Sequence, residues 1–135
     1  MSAGMKAVRI KVLVLDDEVP VADSLVQILA MFGYYATASY DPFQAVEWLS
    51  LHPCDIVISD VVFNGQMSGI DIAIQLRKTL PAIKVLLMSG NNSTADLLTL
   101  AQSQGHSFDI LAKPVHPSVI LERLKLLSSQ NLDPA

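Results

Sequence analysis

The feature that most restricts this 135-residue chain is its alternation of two kinds of hydrophobic pattern. VRIKVLVL, from Val8 to Leu15, starts by alternating and becomes continuously apolar, while DIVISD, from Asp55 to Asp60, and KVLLM, from Lys84 to Met88, are apolar nearly throughout. A strand covered on one face alternates with period two, so runs apolar on both parities belong to strands covered on both faces. Tyr34 to Tyr40 and Phe108 to Ala112 are two further β-rich stretches. Between the runs, apolar residues recur every three or four positions, as in Val21, Ala22, Leu25, Ile28, Leu29 and Phe32, then Ile70, Ile72, Ala73, Leu76 and Leu80. That spacing is helical.

The punctuation agrees. Pro20 stands near the start of the first helical stripe and Gly33 just past its end, where a left-handed residue stops a helix. Asp41-Pro42 supplies an N-cap and a first-turn proline for a helix reaching about Leu51, and Pro81 closes the third helix. Asn92 to Asp96 opens a fourth helix ending near Gly105, and Pro117 begins a fifth through Val119, Ile120, Leu121, Leu124, Leu126 and Leu127. Five strand–helix pairs in strict alternation predict one open parallel sheet with helices on both faces, joined by right-handed crossovers. In such sheets a ligand site lies beyond the carboxyl ends of the strands, where the strand order reverses.

Composition narrows the function classes. With 51% hydrophobic and 16% charged residues the chain is too apolar for a disordered segment, and its length suits one domain. Mean hydropathy is +0.42, yet no apolar run approaches the ~20 residues of a spanning helix. No membrane insertion is expected. The first eleven residues carry no signal-peptide core, and the single Cys54 forms no internal disulfide, which fits a reducing, cytoplasmic setting. A net charge of −4 opposes direct binding to nucleic acid, because phosphate contacts need clustered Lys and Arg.

The polar residues that end the strands are the chemical signal. Asp16 and Asp17 follow the first strand, Asp60 ends the third, Ser89 follows the fourth and Lys113 the fifth, so the fold brings all five to one sheet edge. Any one of them read alone is a turn former or helix cap. Three crowded carboxylates, however, cannot all stay ionised without a cation. Oxygen donors without His or Cys favour magnesium over zinc, and magnesium takes only one or two carboxylates, leaving an Asp free to attack phosphorus. Ser89 and Lys113 suit the remaining phosphoryl oxygens.

On these residues the chain resembles the receiver domain of bacterial response regulators, through VLVLDDE at 12–18, DIVISD at 55–60, LLMSG at 86–90 and LAKP at 111–114. The resemblance implies a flavodoxin-like doubly wound (βα)5 fold over residues 11–127, with 1–10 as an N-terminal extension and start of the first strand and 128–135 as a polar tail. It implies that Asp60 accepts a phosphoryl group from a sensor histidine kinase or histidine phosphotransfer protein, dependent on Mg2+ or Mn2+. Asp17 would bind the ion directly, Asp16 mainly through water, and Asp60 and the Val62 carbonyl would complete the protein ligands. Ser89 would hydrogen-bond the phosphoryl group, Lys113 would pair with it, Gly90 would leave room, and the Lys113-Pro114 bond would be cis. The domain would be a phosphoacceptor rather than a turnover enzyme, switching a surface on its last two helices that docks a partner or a second copy.

Three departures from the family pattern stand out. The loop after Asp60, Val61-Val62-Phe63-Asn64-Gly65-Gln66-Met67-Ser68-Gly69, lacks the usual proline and carries its glycine one residue late. Ile110 occupies the place of the family's inward-turning aromatic, with Phe108 a substitute only if the last strand is bulged. The interval from Ser89 to Lys113 is about two residues long, around Gly105-His106-Ser107. His52, His106 and His116 read as solvated side chains, Cys54 as a small apolar filler, Trp48 as helix packing, and Arg123 with Lys125 as an exposed face. A haloacid-dehalogenase-like hydrolase is disfavoured because Glu18, not Asp, stands two residues after Asp16. The other readings are a phosphate-independent interaction module and one piece of a longer regulator or hybrid kinase; Met1 and the short tail favour a stand-alone regulator.

Overall fold

A computed structural model describes residues 9–63, 68–90, 99, 102–105 and 108–131. The elements in chain order are β1 (Lys11–Leu15), α1 (Val19–Met31), β2 (Tyr35–Ser39), α2 (Pro42–Leu51), β3 (Ile56–Asp60), α3 (Gly69–Thr79), β4 (Lys84–Ser89), β5 (Asp109–Ala112) and α4 (Pro117–Asn131). The five strands form one parallel sheet in the order β2-β1-β3-β4-β5. This is the flavodoxin-like arrangement, and its strand order reverses between β1 and β3. The helix expected to open at Asn92 lies largely outside the described residues.

Strand parity sorts the core into two layers. Val12, Val14, Ile56, Ile58, Leu86 and Met88 face one way, against Ala22, Leu25 and Leu29 of α1 and Ile120, Leu124 and Leu127 of α4. Leu13, Leu15 and Val57 face the other way, against Ala45 and Leu49 of α2 and Ile72 and Leu76 of α3. A strand with helices on both sides buries both parities, which is why β3 is buried at all five positions. Burying such an aliphatic side chain contributes about 1.5–3 kcal/mol, and that term holds the sheet between its helices.

Helix ends follow their residues. Gly33 takes the left-handed conformation after α1 with φ of 93°, and the Asp41 carboxylate accepts the Gln44 amide at the start of α2. Ser68 and Asp71 form a reciprocal capping box at the start of α3. Other strand bounds shift from the sequence reading by a residue, while the start of β1 and the end of the last helix shift further. β1 starts at Lys11, opposite Tyr35 at the start of β2, and the Ile10 carbonyl just before it accepts the Tyr35 amide at 2.9 Å. α4 continues through Asn131, because no Pro or Gly interrupts the chain between Pro117 and Pro134 and Leu127 still packs on the core.

Gly69 is the tightest point of the β3–α3 connection. Its amide donates to the Val61 carbonyl at 2.7 Å, and a Cβ placed on it would lie 2.0 Å from the Asp60 carbonyl oxygen. The obstacle is backbone, which cannot rotate away. Gly69→Ala is therefore expected to destabilise the protein by about 3 kcal/mol. Urea denaturation monitored by far-UV circular dichroism measures the loss; an unchanged midpoint would mean that this approach is not close.

Candidate functional site at the carboxyl edge of the sheet

The fold brings the five strand-end residues to one edge. Asp16 and Asp17 follow β1, Asp60 ends β3, Ser89 ends β4, and Lys113 follows β5, where its amide donates to the Ser89 carbonyl at 2.8 Å. One carboxylate oxygen from each of Asp16, Asp17 and Asp60 lies within 4.8 Å of the others. The Lys113 ammonium sits 3.0 Å from Asp60 Oδ1 and 3.7 Å from Asp16 Oδ2. The Lys113-Pro114 bond is cis.

Asp16 is fully buried. Its Oδ1 accepts the Glu18 amide at 2.9 Å, while its Oδ2 has no hydrogen-bond partner and only the more distant Lys113 charge. Ionised carboxylates are not buried half-satisfied without compensation. A cation beside Asp16, Asp17 and Asp60 would supply it, and an all-oxygen donor set suits a hard divalent ion.

Burial pushes the Asp60 carboxyl above its ordinary value, and the nearby Asp16 and Asp17 charges add to this against the opposing hydrogen bond and charge of Lys113. For Lys113, burial works downward, but the hydrogen bond and charge of Asp60, with Asp16 and Glu18, outweigh it and hold the ammonium above its usual range. Negative charge is thus in excess around a lysine that stays protonated.

The other site residues of the sequence reading fall on or near this edge. Gly90 lies against Lys113, whose Cβ would be 3.3 Å from any Cβ at residue 90. Val62 is exposed on the rim between buried Val61 and Phe63. Ile110 stands opposite Leu87 and packs against the cluster of Val61, Ile70 and Leu87. The β4–β5 register runs without a bulge from Leu86 and Asp109 to Ser89 and Ala112, and Phe108 instead lies under the Arg77 guanidinium at 4.1 Å.

Several other side chains have local roles. Trp48 stacks on His52 with ring centroids 4.3 Å apart, His116 Nδ1 meets the Ser118 hydroxyl, and the Asp109 carboxylate pairs with Arg123 at 3.3 Å. Burial raises the Cys54 thiol to about 11, consistent with an inert packing residue. His106 and residues 64–67 of the loop lie outside the described residues. Three residues not legible as functional in the sequence are the Ser68–Asp71 capping pair, signalled by Ser-x-x-Asp ahead of an apolar stripe, and Ser59, which carries no motif.

A doubly wound parallel sheet that gathers an acidic trio, a hydroxyl and a lysine at its strand ends defines a receiver-type α/β domain. Residues 12–125 match the response regulator receiver domain family, and the chain belongs to it. It is 34% identical over 110 residues to the phosphoglycerate transport system transcriptional regulatory protein PgtA of Salmonella typhimurium, covering 82% of this chain and 26% of that protein. It is 26% identical over 118 residues to the response regulator MprA of Mycobacterium ulcerans, covering 87% of this chain and 50% of that one. The chain thus spans half or less of these relatives. Among solved structures, the fold matches a CheY-like receiver domain protein from Methanospirillum hungatei with a TM-score of 0.80 at 22% identity, covering 91% of this chain and 97% of the other. A signal receiver domain of an HD domain-containing protein from Pseudomonas fluorescens gives a TM-score of 0.82 at 22% identity over 97% and 95% of the two chains.

The Asp60 shift has a sign. A carboxyl whose folded value lies above its ordinary 3.8 favours the folded state while protonated and loses that contribution as pH rises through the folded value. Without metal, Asp60→Asn should therefore be more stable than wild type at pH 7, the difference closing below pH 3.8. Urea midpoints in chelator across this pH range measure it; a less stable variant at pH 7 would contradict the raised value.

Proposed function

We propose that this domain accepts a phosphoryl group on Asp60 from a phosphohistidine of a sensor histidine kinase or histidine phosphotransfer protein, and that this switches a protein-interaction surface. The observation that carries the reading is the Lys113 ammonium held between Asp60 and the half-satisfied Asp16 carboxylate. Asp60 is the acceptor because it alone of the three acids both ends a strand and lies 3.0 Å from Lys113.

In the reaction, an Asp60 carboxylate oxygen attacks phosphorus, the bond from phosphorus to the histidine nitrogen breaks, and the imidazole leaves with the electron pair. An acyl phosphate on Asp60 results. Lys113, already protonated, pairs with the phosphoryl oxygens as its bond to Asp60 is released, and the Ser89 hydroxyl donates to another of them. Gly90 keeps the space beside Lys113 open, since a side chain there would press on the lysine stem. Mg2+ or Mn2+, held by Asp17, Asp60, the Val62 carbonyl and Asp16 through water, would neutralise charge on the transferring group.

The surface around β5, α4 and the helix expected before β5 is the proposed switch, contacting a downstream protein or a second copy. Phosphorylation adds charge at the β4 and β5 ends, which flank that surface. Ile110 limits this switch to movement without an aromatic ring. PgtA is named a transcriptional regulatory protein, and a role as the input unit of such a regulator is compatible with the chain's partial span of it. The domain is proposed to act in the cytoplasm without binding nucleic acid itself; among the described residues no helix is long and apolar enough to cross a membrane.

Incubation with Mg2+ and acetyl phosphate should add one phosphoryl group by intact mass, chelator should abolish it, and Asp60→Asn should take up none. Lys113→Ala should slow uptake about 10²-fold. Equal labelling of wild type and Asp60→Asn would overturn the assignment. In the absence of donor, Mg2+ at a hundredfold excess over its Kd should stabilise wild type by about 2.7 kcal/mol in urea denaturation. No gain would exclude a folded-state Mg2+ site.

A further inference from the structure

Ser59 precedes the acceptor, is fully buried, and donates its hydroxyl to the Asp60 carbonyl at 2.8 Å. On the parity of β3 it shares the side of Val57, facing α2 and α3, away from the carboxylates. The β1–β3 pairing ends at Leu15 and Ser59, so the Asp60 carbonyl lies past the last rung of that ladder. A buried carbonyl there needs a donor, and a side chain one residue back provides it.

The geometry points to Ser59 as a positioning residue for the acceptor and for the carbonyl of Val62, an inference that rests on the phosphoacceptor reading of Asp60. The peptide between Asp60 and Val61 is gripped at both of its polar atoms. The Val61 amide donates to the Met88 carbonyl at 3.0 Å, and the Asp60 carbonyl takes the Ser59 hydroxyl. The next carbonyl, of Val61, takes the Gly69 amide at 2.7 Å. The backbone leaving Asp60 toward Val62 is therefore set by three bonds, of which only the Ser59 bond comes from a side chain.

Gly69 closes this arrangement from the other side. A Cβ on it would lie 3.0 Å from Ser59 Oγ as well as 2.0 Å from the Asp60 carbonyl oxygen, so the start of α3 is seated on the serine–carbonyl pair. Without the hydroxyl, the peptide is free to tilt toward another donor. Tilt there turns both the Asp60 side chain and the Val62 carbonyl, two groups that must face one cation. Loss of Ser59 should thus weaken metal binding and slow phosphoryl uptake at saturating donor, while leaving the donor KM unchanged.

The test compares full-length wild type with Ser59→Ala, Ser59→Val and Ser59→Thr, since Val and Thr share a shape and differ in the hydroxyl. Mg2+ alone is titrated by calorimetry, acetyl phosphate uptake is followed by intact mass at saturating Mg2+, and folded fractions come from urea midpoints. Ser59→Ala and Ser59→Val are expected to bind Mg2+ at least fivefold more weakly and to label about tenfold more slowly at equal folded fraction, with donor KM within twofold of wild type. Ser59→Thr should stay within threefold of wild type in both. Ser59→Ala matching wild type in Mg2+ affinity and rate, or Ser59→Thr failing as badly as Ser59→Val, would overturn the inference. Wild type that binds Mg2+ but takes up no phosphoryl group would overturn the reading of Asp60 instead, with the Mg2+ affinities still judging Ser59.

Discussion

A parallel sheet covered by helices on both faces leaves little room for polar side chains along its strands. In this chain β3 is buried at all five positions and β1 at four of its five, so hydrophilic residues collect where the strands end. Strands that run in one direction share one carboxyl edge. The hydrophobic constraint thus has a chemical result: Asp16, Asp17, Asp60, Ser89 and Lys113 converge without any of them being close in sequence, apart from the acidic pair.

Convergence carries an electrostatic cost that the protein leaves partly unmet. Lys113 answers Asp60 and, at longer range, Asp16, but one buried Asp16 oxygen has no hydrogen bond and burial raises the Asp60 carboxyl. A site tuned only for stability would pair these charges fully or replace them with apolar groups. This one is suited to receive further charge of both signs, a cation at the acids and an anion at the lysine and serine. The same edge borders β5 and α4, the surface proposed to respond to a change of charge there.

The sequence made the sheet and its site legible because both arise from strong, local patterns. Runs apolar on both parities mark buried parallel strands, and the residues that interrupt them mark their ends, as Asp60 does. What stayed hidden depends on packing in three dimensions. Ser59 looks like a stray polar residue within DIVISD, and only the fold shows its hydroxyl on the Asp60 carbonyl. The late glycine of the altered loop reads as a departure from the family until Gly69 is seen pressed on that same carbonyl. Element ends were also less legible: β1 starts where its β2 partner starts, and α4 persists past Leu127 through residues of weak pattern. Ile110 departs from the family pattern by its residue type, and its contacts with Val61, Ile70 and Leu87 place it in an aliphatic cluster.

On the proposed reading, the strand-end carboxylates and Lys113 form one phosphoacceptor site. The most direct measurement is a crystal structure of the protein grown with Mg2+ and beryllofluoride, a mimic of the phosphoryl group. The expected result is beryllium bonded to an Asp60 oxygen, Lys113 and Ser89 on its fluorides, and Mg2+ on Asp17, Asp60 and the Val62 carbonyl. Beryllofluoride bound elsewhere, or absent from Asp60 in crystals whose Mg2+ occupies the acidic cluster, would contradict it.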